Sequence, residues 1–202
     1  MRTLKLTIAY DGTHYVGWQV QRGKPTIQGT LQHVLRRLLH EPVTVIGSGR
    51  TDAGVHALGQ VAHLQTQTTR SCQRLQRALN HRLPKDIVVV KIEDVRANFH
   101  AQFQAKRKRY AYRIVNGPVV LPFERPSAHQ VWVPLNVALM RQEAAVLKGK
   151  HDFRSFHAAA SSLRQGRPIV CPHGPAGIST GSSVPFRTVN SNGKSRAPPP
   201  FG

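Results

Sequence analysis

Leu4, Leu6 and Ile8 alternate with Thr3, Lys5 and Thr7, the period-two signature of a strand with one buried face. Asp11-Gly12 then marks a turn. Thr26 stands ahead of Ile27, Leu31, Val34, Leu35 and Leu38, a spacing that predicts a capped helix with one apolar stripe. The β-branched run over 43–46 predicts a short strand, and Gly47-Ser48-Gly49-Arg50-Thr51-Asp52-Ala53-Gly54 predicts a loop. Val61 to Gln65 reads as the next strand. Leu75, Ala78, Leu79 and Leu83 give a second helix an inward face over Arg70 to Leu83, with Pro84 stopping it. Ile87 to Ile92 is a nearly continuous apolar strand. The order β-α-β-β-α-β predicts an α+β fold of the ferredoxin-like kind, an antiparallel sheet with both helices on one face.

A second α+β unit begins at Arg109. Tyr110, Tyr112 and Ile114 alternate with Ala111, Arg113 and Val115 as a strand would, Gln130 to Val133 offers it a partner, and Val137 to Leu147 reads as a helix. The unit does not finish. From Gly166 to Gly202, 18 of 37 residues are Gly, Pro or Ser and none is acidic, a composition that predicts a disordered or poorly packed tail. Three divisions follow: 1–104, 105–160 as a partial second subdomain, and a 161–202 tail.

Charge sharpens the picture. In 202 residues, 29 Lys and Arg face 9 Asp and Glu, for a formal net charge of +20. Such a chain is drawn to polyanions. No apolar run is long enough for a membrane span, so no membrane partner is expected. Cys72 and Cys171 cannot form a disulfide framework, and the 11 histidines show no metal-ligand spacing. Dinucleotide, phosphate-loop and serine-hydrolase signatures are also missing. An intracellular protein facing nucleic acid is the expectation. The acid-poor composition slightly favours mitochondria over cytoplasm or nucleus, although the first strand leaves little room for a cleaved presequence.

Most of the nine carboxylates have a structural place in turns, strand ends or connections. Asp52 differs because Gly47, Gly49 and Gly54 surround it and let backbone approach a ligand closely. Arg50 and His56 place two groups able to carry positive charge near it in sequence. A carboxylate on such a loop can serve as a nucleophile or base, or the loop can be a tight turn or a phosphate-cradling nest. Lys106-Arg107-Lys108-Arg109 leads directly into Tyr110. Cations followed by an aromatic ring suit RNA phosphates and an unstacked base, and they equally suit a solvated charge run beside core tyrosines. Trp18 reads as a core anchor.

Six strings share one resemblance. Residues 8–13 (Ile-Ala-Tyr-Asp-Gly-Thr), 17–19 (Gly-Trp-Gln) and 49–57 (Gly-Arg-Thr-Asp-Ala-Gly-Val-His-Ala) closely resemble the TruA family of tRNA pseudouridine synthases. So do 59–63 (Gly-Gln-Val-Ala-His), 99–101 (Phe-His-Ala) and 109–112 (Arg-Tyr-Ala-Tyr), in the family's order and spacing. The resemblance covers residues 1 to about 160. It implies conversion of uridine to pseudouridine around the tRNA anticodon stem-loop, without metal or organic cofactor, by paired α+β units that commonly dimerise. Asp52 matches the nucleophile or the group supporting a glycosyl intermediate. Tyr110 matches the tyrosine against the base, and Arg50 the arginine that fills the flipped nucleotide's space. The family's later segment, similar to Val-Arg-x-x-Val-Gly, supplies an arginine to the aspartate and has no counterpart after Ser155-Phe156. Impaired activity is therefore expected. A non-catalytic RNA-binding protein that keeps the basic surface is the alternative, and a basic interaction module is a third reading.

Overall fold

The computed structural model describes residues 1–147, 149–151 and the backbone of 169–171. β1 (Arg2–Tyr10) lies at the centre of a four-stranded sheet, between β3 (Ala57–Thr66) and β4 (Ile87–Val95), and β2 (Ile46–Gly47) lies outside β3. All pairings are antiparallel. The alternation in β1 puts Leu4, Leu6 and Ile8 fully out of water. Onto that face pack α1 (Ile27–Leu39), through Ile27, Leu31 and Leu35, and α2 (Cys72–Arg82), through Leu75 and Leu79. Each buried aliphatic side chain of this kind stabilises the fold by about 1.5–3 kcal/mol. Thr26 caps α1, its hydroxyl accepting from the Gly29 amide, and Ser71 caps α2 by accepting from Arg74 N–H. A bulge between the Thr7 and Ile8 pairings resets the alternation of β4, so Val89 and Ile92 both face inward.

Two expectations require correction. The strand expected over 43–46 shrinks to Ile46–Gly47. Side chains of α1 take the backbone groups that a ladder would use: Gln32 accepts from Val45 N–H at 2.9 Å, Gln28 donates to Val45 O at 2.7 Å, and Arg36 donates to Val43 O at 3.0 Å. The strand expected from Arg109 forms only as β5 (Ile114–Asn116), paired with β6 (His129–Val131). β6 is three residues long and lies between Pro126 and Pro134, so Tyr110 and Tyr112 lie beyond its reach and stay exposed. Within 166–202, the described backbone of Ile169–Cys171 forms β8, which pairs with β7 (Gly149–His151). The rest of that stretch, with Asp152, lies outside the described residues.

The chain divides into two units, Met1–Gln130 and Val131–Gly202. In the second, Asn136 caps α3 (Val137–Ala144), accepting from Leu139 N–H at 3.0 Å. Among the described residues no helix is long and apolar enough to cross a membrane.

His63 ties the sheet to the segment after β4. Its Nδ1 accepts from Ala101 N–H at 3.2 Å, and its ring lies edge-on to Phe99 and 4.8 Å from that of His100. Burial, with His100 adding, holds the imidazole below its ordinary value of 6.5. The unfolded chain thus takes up this proton more readily than the folded one, and stability is lost as pH falls below 6.5 towards the folded value. Urea unfolding midpoints measured downward from neutral pH are expected to fall through that window. His63→Gln is expected to start less stable and show a flatter profile there; an unchanged slope would remove His63 as its cause.

Candidate active-site loop

The loop between β2 and β3 is fixed from three directions before any ligand arrives. From β1, the buried Tyr10 hydroxyl shares a 2.9 Å hydrogen bond with the Thr51 hydroxyl, and burial pushes this phenol above its usual range. From β3, Gln60 donates to Gly49 O at 2.6 Å and accepts from the Ser48 hydroxyl at 2.8 Å. From the segment after β1, Trp18 N–H donates to Thr51 O at 2.9 Å, while Tyr15 O accepts from Gly54 N–H at 3.2 Å. Gly17 makes that approach possible: its φ is +84°, and a Cβ there would lie 2.4 Å from Thr51 O. Val55 N–H closes a turn onto Asp52 O at 3.2 Å, with Gly54 at φ +76° in the turn's third position.

The approaching segment is itself anchored. The Tyr15 hydroxyl donates to Asp86 at 2.8 Å, and burial together with that carboxylate pushes it up to about 12. Thr13 donates twice to Asp11, holding that carboxyl below the usual range, and His56 adds to the effect. His56 Nδ1 lies 3.0 Å from Asp11, and its Nε2 donates to Pro126 O at 2.8 Å. This corrects the expectation that His56 supports Asp52: it is committed to Asp11, because the turn at Asp52 carries the chain back alongside the β1 end. Trp18 is 1% exposed, the core anchor its sequence setting suggested.

Asp52 is exposed, and its carboxylate has no hydrogen-bond or ion-pair partner among the described residues. Arg50 is exposed as well. Of the basic run, Lys108 reaches the loop: its ammonium lies where it would meet a Cβ on Gly49 at 2.8 Å. Lys106, Arg107 and Arg109 are exposed beside it in sequence. Tyr110 is 74% exposed and makes no hydrogen bond or ring contact among the described residues. The structure therefore brings Asp52, Arg50 and Lys108 to one loop and leaves Tyr110 on the extended stretch before β5. Burial and Asp94 push the Cys72 thiol up, which disfavours its thiolate. Among the described residues no three His, Cys, Asp or Glu side chains converge as metal ligands would.

Tyr10 and Gln60 are positioning residues whose roles no local pattern announced. Their signal is membership of strings 8–13 and 59–63, which share one resemblance with the loop's 49–57, and the hydrogen bonds explain why those strings occur together.

Comparison with known proteins agrees with that grouping. The family model described as tRNA pseudouridine synthase matches residues 6–104, which hold Tyr10, Tyr15, Gly17, Trp18 and Gln60 as well as the loop. The tRNA pseudouridine synthase A of Thermoanaerobacter sp. is 45% identical over 162 residues, 80% of this chain and 66% of the relative. That of Moorella thermoacetica is 46% identical over 166 residues, 81% of this chain and 68% of the relative. The match to the Exiguobacterium sp. protein of the same name runs further, at 42% identity over 191 residues, 95% of this chain and 76% of the relative. The chain spans about two thirds of the length of several curated relatives it matches. With the loop's architecture inside the matched region and identity above 40% throughout, the chain belongs to the TruA family of tRNA pseudouridine synthases.

Proposed function

We propose that this chain is a tRNA pseudouridine synthase that isomerises uridine in the anticodon stem-loop region, with Asp52 at the reacting nucleotide. The observation that carries the reading is the clamped loop that presents an unpartnered Asp52 carboxylate to solvent. In the reaction the N1–C1′ bond breaks, the uracil turns in place, C5 bonds to C1′, the C5 hydrogen leaves as a proton, and N1 takes up a proton. Nothing is oxidised or reduced. Asp52 acts as nucleophile or as the carboxylate that supports the glycosyl intermediate. A stacked uridine must first leave its stack, at a cost of a few kcal/mol. Arg50 fills the space it vacates, and Tyr110 supplies a ring for the extruded base. Lys106, Arg107, Lys108 and Arg109 hold phosphates, with Lys108 nearest the loop.

Residues 1–104 serve as the loop-bearing subdomain, and 105–160 as part of a second. The ferredoxin-like reading of the first draws support from its strand order β4-β1-β3-β2, all antiparallel, joined by α1 and α2. The partners are tRNA and a second copy of the chain. The test is release of tritium from tRNA carrying C5-tritiated uridine. Release that tracks pseudouridine formation is expected; a folded chain that binds tRNA and releases none would establish the non-catalytic RNA-binding alternative.

A further inference from the structure

The helices and the sheet of the first unit differ in how their charges are matched. Residues 26–40 and 70–85 contain no carboxylate. α1 exposes Arg36 and Arg37, α2 exposes Arg74, Arg77 and Arg82, and Arg70 stands exposed just ahead of α2. Arg36 and Arg70 donate to the carbonyl oxygens of Val43 and Leu38, but none of the six has an acidic partner among the described residues. On the sheet, Lys5 and Lys91 both pair with Glu93, at 2.7 and 2.6 Å, and Arg2 pairs with Asp94 at 2.9 Å. Positive charge is neutralised on the strands and left bare on the helices.

Helix stability does not explain this distribution. Arg36, Arg37 and Arg82 lie in the last turns of their helices, where the macrodipole favours cations. Arg74 is at the opposite end. It occupies the third helical position after the Ser71 cap, in a first turn with no acidic residue. That position suits the glutamate of a capping box, and the dipole disfavours a cation there. Arg74 thus costs α2 stability, and Arg77 follows it on the exposed side.

We infer that the exposed face of α1 and α2, centred on Arg74 and Arg77, is a second RNA-backbone surface, separate from the Asp52 loop. Along α2, Arg74, Arg77 and His81 are separated by rises of about 4.5 and 6 Å, a row of donors that can follow a phosphodiester chain. Gln73, Gln76 and Asn80 line an open depression of about 500 Å³ with Arg77; Gln76 and Asn80 are held by hydrogen bonds to the Val89 and Val90 backbone, which leaves the exposed Gln73 amide to meet a sugar hydroxyl. The C-terminal end of α2 leads through 83–86 to Ile87, which pairs with Tyr10, and Tyr10 holds Thr51 of the loop. The strand flanking the nucleotide at Asp52 can therefore continue along α2. Only the identity of the RNA rests on the proposed function; the surface itself is tested by binding.

Binding of the full chain to a tRNA anticodon stem-loop, measured from about 50 to 200 mM salt, tests the inference. Arg74→Glu combined with Arg77→Gln is expected to weaken binding at least about tenfold and make the salt slope shallower by about 2. The same variant is expected to melt about 2–4 °C higher, because its first turn regains a carboxylate. Arg22→Glu with Lys24→Gln removes equal charge from exposed positions off the helices, and less than about a threefold loss is expected there. Equal losses in the two doubles would overturn the proposal in favour of net charge alone. So would unchanged RNA affinity in the first double and in Arg77→Gln alone, or a loss confined to phosphatidylserine vesicles, which would make the face a lipid surface. A selective RNA loss in a chain that releases no tritium would keep the surface and sink the synthase reading.

Discussion

Asp52→Ala is expected to lower tritium release at least about 10³-fold, the scale of losing a group that bonds to or directly supports the reacting atom. The same change is expected to leave stem-loop affinity equal or slightly improved. Asp52 is exposed and has no partner among the described residues, so its removal breaks no hydrogen bond there and takes a negative charge away from RNA phosphates. That combination separates catalysis from structure. A positioning role for the loop alone would lower affinity and release together. Asp52→Asn sharpens the comparison because it keeps the shape and removes only the charge and the nucleophilic oxygen. Release retained within about tenfold in both variants would dismiss Asp52 from the chemistry.

The sequence made these elements legible to the extent that burial decided them. β1 and α1 each have one face in the core and one in water, and their alternations at periods of two and of three to four residues map onto the burial of Leu4, Leu6, Ile8, Leu31 and Leu35. The β-branched run over 43–46 was legible, but only its end enters β2, because the backbone groups of Val43 and Val45 are claimed by Gln28, Gln32 and Arg36 from a helix read as separate. Tyr110 and Tyr112 alternate like strand residues, yet pairing ends where the three-residue β6 ends. In the site, Asp52 could be singled out because a carboxylate among glycines is locally odd. Its supports could not, since Tyr10 and Thr51 are 41 residues apart and hydrogen bonds at that separation leave no periodic trace. The pairing of His56 with Asp11 follows from how the two turns meet, which adjacency along the chain does not reveal.

Gly17→Ala is expected to damage the site more than the fold. The position has φ +84°, where a side chain costs about 1–2 kcal/mol. A Cβ there would also lie 2.4 Å from Thr51 O, the atom that accepts from Trp18 N–H. Backbone must move to relieve that overlap, and overpacking of this kind costs about 1–3 kcal/mol more. The loop can yield locally, because the buried apolar cluster contains no residue of 48–56 and does not depend on Asp52. The unfolding midpoint therefore drops by less than the full cost, while displacement of the Thr51-Asp52 peptide by about 1 Å lowers turnover about 100-fold. Gly23→Ala is the control, since Gly23 has a similar φ of +71° with nothing within 4 Å of its added Cβ. It carries the backbone cost without the overlap, so a small stability loss with near-normal turnover is expected. Equal losses of turnover at the two glycines would show that the contact between Gly17 and Thr51 does not hold Asp52 in place.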